Sequence, residues 1–338
     1  MLSSVQAGKL PNDILARLLA TVAPADPRVV VGPGVGRDAA VIDTGGPSLL
    51  VAKADPITFA SDEIGWYAVH VNANDIACMG ARPAWFLATV LLPEGCPPDL
   101  PEAVFAQIHA ACEALGVALV GGHTEVTYGL PRPVIAGAML GEVARDRLVR
   151  PESARPGDAV ILTKGIAIEG TAVLAREARG RLAALGVPDA ALDRAAGYLR
   201  DPGISVVPEA VAACGAASVR AMHDPTEGGI ATALYELAAA TGCGLRIDEP
   251  IEVLPETEAL CAGAGLNPLG LLASGSLLLV VSEDECGDAL ASVRGTGVPA
   301  RRIGSLAAPG DGVIMLVNDS PRRVPTFARD ELARFLSG

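Results

Sequence analysis

Residues 69–80 read VHVNANDIACMG, an apolar helical stretch with polar residues at its centre. Asn72 and Asp75 are three positions apart, so they share one face of the predicted helix. If that face is buried, its polar groups must bind something polar, because buried polar side chains are nearly always paired. Mg²⁺ together with triphosphate oxygens would satisfy them. A solvated helix face would need no ligand, and both interpretations remain open at this point.

The segments around this helix predict a mixed α/β protein of two domains. A chain of 338 residues is long for one compact domain and comfortable for two. Apolar runs between turn residues predict strands at 29–31, 39–42, 49–54, 117–120, 134–143, 159–163, 218–222, 277–281 and 313–317. Helical spacing predicts helices at 63–79, 102–115, 171–177, 229–240 and 329–335. We expect an N-terminal helix and arm over 1–30, a first domain over 31–150, a second over 155–325 and a closing helix over 326–338.

Composition argues against several classes of protein. Hydrophobic residues make up 50% of the chain and charged residues 19%, which is typical of a globular protein. The net charge of −13 repels phosphate backbones and anionic lipids, so neither nucleic acid nor a membrane is an expected partner. The seven cysteines include no C-x-x-C pair, which argues against a disulfide framework or a zinc site. The N-terminus lacks a basic segment followed by an apolar run, so we expect a cytoplasmic protein with reduced thiols.

A glycine loop leads to an acidic residue, Asp38, in GPGVGRDAAV at residues 32–41. It is not a dinucleotide fingerprint, because the third glycine comes one position early and an apolar strand follows it. Glycines allow backbone to approach phosphate closely, but they also simply form turns. Asp55 ends the next apolar strand, where its carboxylate needs a partner or a metal unless it only closes a turn with Pro56.

Other strand ends carry further candidate ligands. GGHTE at residues 121–125 follows an apolar strand, a common ligand position in α/β sheets, and its histidine is either catalytic or structural. HDPTEGG at residues 223–229 joins a strand to a helix. Asp224 or Thr226 there either caps that helix or leaves its N–H groups facing an anion. Lys164 follows another strand and either neutralises phosphate or lies on the surface.

In their order and spacing, these segments resemble the PurM-like, AIR synthase-related family of ATP-binding proteins. The similar segments are GRDAAV at 36–41, KADP at 53–56, NANDIACMGARP at 72–83, GGHTEV at 121–126 and HDPTEGGIATAL at 223–234. The resemblance covers about residues 30–320. Within the family, the Asn that precedes Asp75 and the Asp-Pro-Thr-x-Gly-Gly motif look most like the HypE group of hydrogenase maturation proteins.

The resemblance implies a homodimer that pairs the sheets of its N-terminal domains, with ATP and Mg²⁺ bound in a cleft between domains. The implied metal ligands are Asp38, Asp55 and Asp75. The implied nucleotide-binding residues are these three together with Asn74, Gly121, Gly122, Thr124, Lys164, Thr226 and Gly228. The implied catalytic residues, near the reacting group, are Asp75, His123, Glu125 and Asp224.

The implied activity is ATP- and Mg²⁺-dependent phosphoryl transfer, or a synthetase reaction, on an unidentified small molecule or protein-bound group. The alternative is a non-catalytic nucleotide-binding accessory protein in metallocentre (hydrogenase) maturation. The chain reads RFLSG at 334–338, where the HypE group carries a Pro-Arg-Ile-Cys tail whose thiol bears the group that is dehydrated. The last cysteine is Cys286, so we expect no dehydration on the chain's own tail. Arg37 and His123 stand where acids are usual in the family, so we also expect fewer Mg²⁺ ligands.

Overall fold

Two β-sheets with their helices make up the structure, a computed structural model that describes residues 10, 12–21, 26–34 and 36–337. The predicted mixed α/β class is confirmed. Parts of the predicted N-terminal helix and arm, residues 1–9, 11 and 22–25, lie outside the described residues, and so does Val35 of the glycine loop.

The first sheet has six strands in the order β1-β2-β3-β6-β4-β5. Its strands are β1 (Val29–Val31), β2 (Ala40–Ile42), β3 (Ser48–Ile57), β4 (Arg82–Pro93), β5 (Ala118–Thr127) and β6 (Val134–Ala144). The helices of this half are α1 (Asn12–Leu19), α2 (Ile64–Cys78) and α3 (Leu100–Leu115). Neighbouring strands are antiparallel except β4 and β5, which run parallel because α3 carries the chain back between them. β5 therefore forms an edge of the sheet.

The second sheet has seven strands in the order β13-β12-β9-β11-β7-β10-β8. Its strands are β7 (Ala159–Thr163), β8 (Ala221–His223), β9 (Gly244–Ile247), β10 (Leu278–Val281), β11 (Ala300–Ala307), β12 (Val313–Val317) and β13 (Ser320–Arg323). The helices here are α4 (Ile168–Glu177), α5 (Arg179–Ala184), α6 (Asp189–Gly197), α7 (Val207–Ala216), α8 (Gly229–Thr241), α9 (Pro255–Ala264), α10 (Cys286–Gly295) and α11 (Glu331–Leu336). No helix in the described part of the chain is long and apolar enough to cross a bilayer.

Helix α2 is the centre of the molecule, and only Trp66 among its side chains is not buried. Glycines on β6 allow the close packing, because a Cβ atom at Gly137 would lie 2.5 Å from Asn72 Nδ2. A Cβ atom at Gly141 would likewise meet the side chain of Ile76. The pattern of small residues on β6 therefore sets how deeply α2 sits on the first sheet.

One apolar cluster joins the two halves of the chain. It extends from Tyr67 on α2 and Phe86 on β4 to Leu174 on α4, Leu192 on α6 and Leu260 on α9. The halves therefore share part of their core, and α2 is packed from both sides. The residue bounds of the two domains remain predictions.

β5 extends further than the sequence predicts. A strand that ended at Val120 would leave residues 121–125 in a loop, but β5 continues to Thr127 and stays paired with β4. The prediction of a loop at this strand end is wrong, because β4 supplies a hydrogen-bonding partner along both glycines. A Cβ atom at Gly122 would collide with the backbone of Ala88 on β4, so the glycine serves strand pairing.

Candidate functional site

The asparagines at the centre of α2 are fully buried and bind backbone atoms. Asn72 Oδ1 accepts a hydrogen bond from Asp55 N at 2.9 Å, and Asn72 Nδ2 donates to Asp55 O at 3.1 Å. Asn74 Nδ2 donates to Ile204 O, and Asn74 Oδ1 accepts from Val206 N, both at 2.8 Å. The solvated-face interpretation of this helix is therefore wrong. Asn72 fastens β3 to α2, and Asn74 fastens the second half of the chain to α2.

Asp75, also on α2, faces a lysine. Lys53 Nζ on β3 lies 2.9 Å from Asp75 Oδ2 and 3.5 Å from Asp55 Oδ2, so its ammonium bridges two of the three predicted metal ligands. Burial raises the pKa of Asp75 to about 7, although the charge of Lys53 opposes that shift. Burial alone would lower the pKa of Lys53, but Asp75 and Asp55 outweigh it and raise that pKa. Lys53 was not among the predicted site residues, and the sequence signal for it was a basic residue inside an apolar strand.

The remaining predicted metal ligand, Asp38, pairs with a histidine. His223 Nδ1 lies 3.1 Å from Asp38 Oδ1, and His223 Nε2 lies 3.0 Å from Glu236 Oε2 on α8. Burial lowers the pKa of His223, but the two carboxylates outweigh this effect and raise it well above its usual value. A protonated His223 therefore ties the loop that carries Asp38 to β8 and α8.

Asp224 and Cys78 lie beside this pair. Asp224 is 1% exposed, its Oδ2 makes no hydrogen bond, and its Oδ1 accepts a weak hydrogen bond from Cys78 Sγ at 3.8 Å. Burial, together with the charges of Asp75 and Asp38, raises the pKa of Asp224 well above its usual value. Ligand atoms of Asp38, Cys78 and Asp224 all lie within 4.8 Å of one another. The fold thus gathers two carboxylates and a thiol from three separate segments into one mostly buried cluster.

A cavity of about 700 Å³ adjoins the cluster. Asp38, Cys78 and His223 form part of its wall, and Arg37 and Arg150 bring positive charge to it. Its apolar lining includes Val30, Val31, Met79, Val149, Leu237 and Ala240. Small-molecule sites typically measure about 300–1,000 Å³ and combine an apolar wall with a few polar groups. Glu152 and Glu236 add acidic groups to the same wall, so the cavity is suited to a ligand that has both an apolar and a charged part.

Five predicted site residues lie on the exposed edge strand instead. They are Gly121, Gly122, His123, Thr124 and Glu125 of β5. Two strands, β6 and β4, lie between β3 and β5, and Asp55 and Pro56 on β3 are in register with this part of β5. The distance from Asp55 to β5 is therefore three strand spacings, or about 14 Å. His123 Nε2 lies 3.2 Å from Glu125 Oε2, and both side chains are exposed. Within one chain, these residues do not meet the carboxylate cluster.

Lys164 is buried within the second half of the chain. Its Nζ lies 2.7 Å from Glu209 Oε1 and donates to Ser205 O at 2.5 Å and to Gly275 O at 2.9 Å. The surface interpretation of Lys164 is therefore wrong. An ammonium has three N–H donors, so the contacts with Glu209, Ser205 and Gly275 occupy all three.

Thr226 and Gly228 lie in the loop before α8. Gly228 N donates to Asp330 Oδ2 at 2.6 Å, and Thr226 O accepts from Gly229 N at 3.0 Å. The other carboxylate oxygen of Asp330 accepts from Leu332 N at 2.7 Å. The Asp330 carboxylate thus lies at the N-terminus of α8, which is the position where an external anion would otherwise bind.

Known proteins are similar to this chain in both sequence and fold. Profiles of the AIR synthase related protein match over residues 36–143 for its N-terminal domain and 155–317 for its C-terminal domain. Carbamoyl dehydratase HypE of Rhizobium leguminosarum bv. viciae is 33% identical over 288 residues, 84% of this chain and 77% of the relative. Carbamoyl dehydratase HypE of Cupriavidus necator is 35% identical over 262 residues, 75% of this chain and 71% of the relative.

A crystal structure of the hydrogenase maturation protein HypE in complex with ATP superposes with a TM-score of 0.67 and 25% identity. The match covers 97% of this chain and 98% of that one, which confirms the PurM-like two-domain fold. Two matching domain profiles in the expected order, and relatives above 30% identity over most of the chain, place it among proteins close to HypE. The chain belongs to the PurM-like family of AIR synthase related proteins.

Proposed function

We propose that the chain is an ATP- and Mg²⁺-dependent enzyme of metallocentre maturation that phosphorylates the oxygen of a carboxamide-like group. The observation that carries the proposal is the convergence of Asp38, Asp75 and Asp224 beside a cavity of about 700 Å³. The similar HypE proteins are named carbamoyl dehydratases, and one HypE structure contains ATP. Phosphorylation turns a carboxamide oxygen into a leaving group, so that loss of phosphate and protons completes the dehydration to a nitrile.

The residues present fit a nucleotide and a magnesium ion. Carboxylate oxygens are the protein ligands that Mg²⁺ prefers, and we assign the ion to Asp38, Asp55 and Asp75, where it would take the place of the Lys53 ammonium that now bridges Asp55 and Asp75. The buried Oδ2 of Asp224 makes no hydrogen bond, which marks a place where a cation is favourable. When bound, Mg²⁺ would supply charge stabilisation for the phosphates. Arg37, in the cavity wall, offers an additional donor to an anion.

We also propose a homodimer formed through β5. Val120, Val126 and Tyr128 on and just after this edge strand are 53%, 60% and 86% exposed. An apolar edge strand is an open pairing surface, and a second copy would cover it. His123 and Glu125 lie in the same stretch, so catalytic roles for these two residues require the dimer.

One observation favours the alternative, a nucleotide-binding accessory protein without turnover. Two groups that were expected to bind phosphate are paired within the fold. Lys164 contacts Glu209, and the loop before α8 contacts Asp330. A site with fewer phosphate donors would bind a nucleotide while providing less stabilisation to a transition state.

Two measurements on the full chain separate these functions. The first is calorimetric titration with ATP, with and without Mg²⁺, for the wild-type protein, for Asp75→Asn and for the exposed control Asp99→Asn. The second is mass spectrometry of a peptide that carries an S-carbamoyl cysteine, incubated with the protein and ATP. Mg²⁺-dependent binding that only Asp75→Asn removes, with ATP-dependent loss of water from the peptide, supports the enzyme. Binding without peptide dehydration supports the accessory protein, and no binding contradicts both.

A further inference from the structure

We infer that Asp38, Cys78 and Asp224 form a binding site for a thiophilic divalent cation such as Zn²⁺, Cd²⁺ or Co²⁺. No motif in the sequence indicates this site, because its three ligands come from a loop, from the end of α2 and from the residue after β8. The site shares Asp38 with the magnesium ligands proposed above, so it is tested on the nucleotide-free protein.

The spacing of the three donor atoms is close to that of a coordination sphere. All three lie within 4.8 Å of one another, and Cys78 Sγ is 3.8 Å from Asp224 Oδ1. With metal–sulfur bonds of about 2.3 Å and metal–oxygen bonds of about 2.0–2.2 Å, neighbouring ligands of a tetrahedral ion lie roughly 3.5 Å apart. Side-chain adjustments of roughly 1 Å would therefore bring the ligands around one ion.

The unpaired oxygen of Asp224 is an independent indication that the cluster binds a cation. Asp224 is 1% exposed, and its Oδ2 makes no hydrogen bond among the described residues. A buried carboxylate oxygen without a partner carries a desolvation cost that remains uncompensated. Cys78 is also 1% exposed, so its sulfur lies in the same water-poor environment. A bound cation would compensate both groups.

The sulfur ligand determines which cation is preferred. Mg²⁺ takes oxygen ligands almost exclusively, whereas thiolates favour Zn²⁺ and other soft or borderline ions. When Cys78 sulfur and the Asp224 carboxylate bind the ion, the thiol proton and the carboxyl proton pass to solvent, because metal ligands bind in their deprotonated forms. His223 Nδ1 lies 3.1 Å from Asp38 Oδ1, and would orient that carboxylate from behind.

The cavity leaves one side of the ion accessible. Asp38 and Cys78 lie in its wall, so an ion could enter from there and a water molecule could complete the coordination. Sites with three protein ligands and one open position are typical of reactive metal centres, whereas structural zinc sites use four protein ligands. We therefore expect an exchangeable cation instead of a permanently enclosed one.

The test uses the full-length, nucleotide-free protein and cobalt chloride as the probe. We expect a near-ultraviolet thiolate-to-cobalt charge-transfer band in the wild-type protein and in Cys214→Ser, and no band in Cys78→Ser. In calorimetry, Cd²⁺ should bind Cys78→Ser at least about 100-fold more weakly than the wild type, beyond the range usual for loss of an orienting group. A wild-type protein without the band, or a band that persists in Cys78→Ser, overturns the inference.

X-ray absorption of the zinc-loaded wild-type protein gives a readout that does not depend on the folding of a variant. One sulfur neighbour at about 2.3 Å with oxygen neighbours at about 2.0–2.2 Å is expected. A shell of oxygen and nitrogen atoms only, or one with two or more sulfurs, overturns the inference. Titration of the wild-type protein with ATP and Mg²⁺ tests the proposed function separately, so the two can fail independently.

Discussion

Lys53 Nζ and Asp75 Oδ2 are 2.9 Å apart, and they form an ion pair between β3 and α2. The Asp75 side chain is 5% exposed and the Lys53 side chain 21%, so the pair lies mostly out of water. Removing one member of a buried pair leaves the other as an uncompensated charge, which typically costs about 3–5 kcal/mol. The pair therefore contributes to stability as well as to the charge of the candidate site.

Replacing Lys53 should show how much the ion pair with Asp75 contributes to stability. We expect Lys53→Met to lower the free energy of unfolding by about 3 kcal/mol at pH 8, because the buried Asp75 carboxylate loses its counter-charge. At pH 6 the loss should be smaller, since the pKa of Asp75 rises further once Lys53 no longer lowers it, and the protonated carboxyl carries no charge. Urea denaturation at both pH values measures these losses.

The matched control for this prediction is the double variant Lys53→Met/Asp75→Asn. It removes both charges, so it should recover most of the stability that the single variant loses. Equal losses in the single and double variants would show that Lys53 stabilises the protein through packing of its aliphatic chain instead.

The sequence showed the polar centre of α2 but left open whether it is buried. Polar residues between Val69 and Met79 allowed either a solvated face or burial with a polar ligand, and the structure shows burial against backbone atoms of the protein. The identity of the partner atoms depends on how distant segments pack. Asn74, for example, binds backbone atoms of residues 204 and 206. Lys53 and His223 were missed as partners for the same reason, because pairing across elements leaves no local periodicity.

The strongly periodic elements of the fold were predictable, and the alanine-rich ones were not. Helix α3 and strand β6 were placed within a few residues of their observed bounds. Helices α6, α7 and α9 were not predicted, because they are rich in alanine. Alanine occurs at both buried and exposed positions, so the helical period of apolar residues is weak in these segments. The full length of β5 was missed because its side chains are exposed on both faces.

Gly137 should tolerate no side chain. A Cβ atom there would lie 2.5 Å from Asn72 Nδ2 and 2.7 Å from Phe86 Cε2, so Gly137→Ala must push α2 away from β6. We expect a loss of about 1–3 kcal/mol, which is typical of an overpacked core. Gly215→Ala on α7, where nothing lies within 4 Å, should be neutral or stabilising by up to about 1 kcal/mol. Thermal unfolding of both variants checks the difference, and equal melting temperatures would contradict it.

Glu169 at the start of α4 should make stability depend on pH. Burial raises its pKa from 4.5 to about 7, and the nearby carboxylates of Asp330 and Glu227 act in the same direction. A carboxyl whose pKa is raised by folding favours the folded state below its unfolded pKa, and that contribution is lost as the pH rises through the folded value. The wild-type protein should therefore lose about 3 kcal/mol from this group between pH 4.5 and pH 7.

Glu169→Gln cannot ionise, so its free energy of unfolding should change less between pH 5 and pH 8. At pH 8 it should exceed the wild-type value by up to about 3 kcal/mol. Glu113→Gln, at an exposed position of α3, is the matched control and should follow the wild type. Denaturation curves at several pH values give the free energy of unfolding of each protein. If this free energy changes with pH as much in Glu169→Gln as in the wild type, the assignment is contradicted.

The edge strand β5 should control the oligomeric state. Val126 is 60% exposed on β5, and a dimer formed through this strand would bury it. Val126→Lys would bring a desolvated charge into that interface, so we expect dimerisation to weaken by about 100-fold or more. Leu185→Lys, at a position that is 50% exposed near the end of α5, is the control and should leave the dimer intact. Sedimentation velocity over a concentration series measures both variants. A Val126→Lys protein that remains as dimeric as Leu185→Lys would place the interface elsewhere, and His123 and Glu125 would then have no route to a shared site.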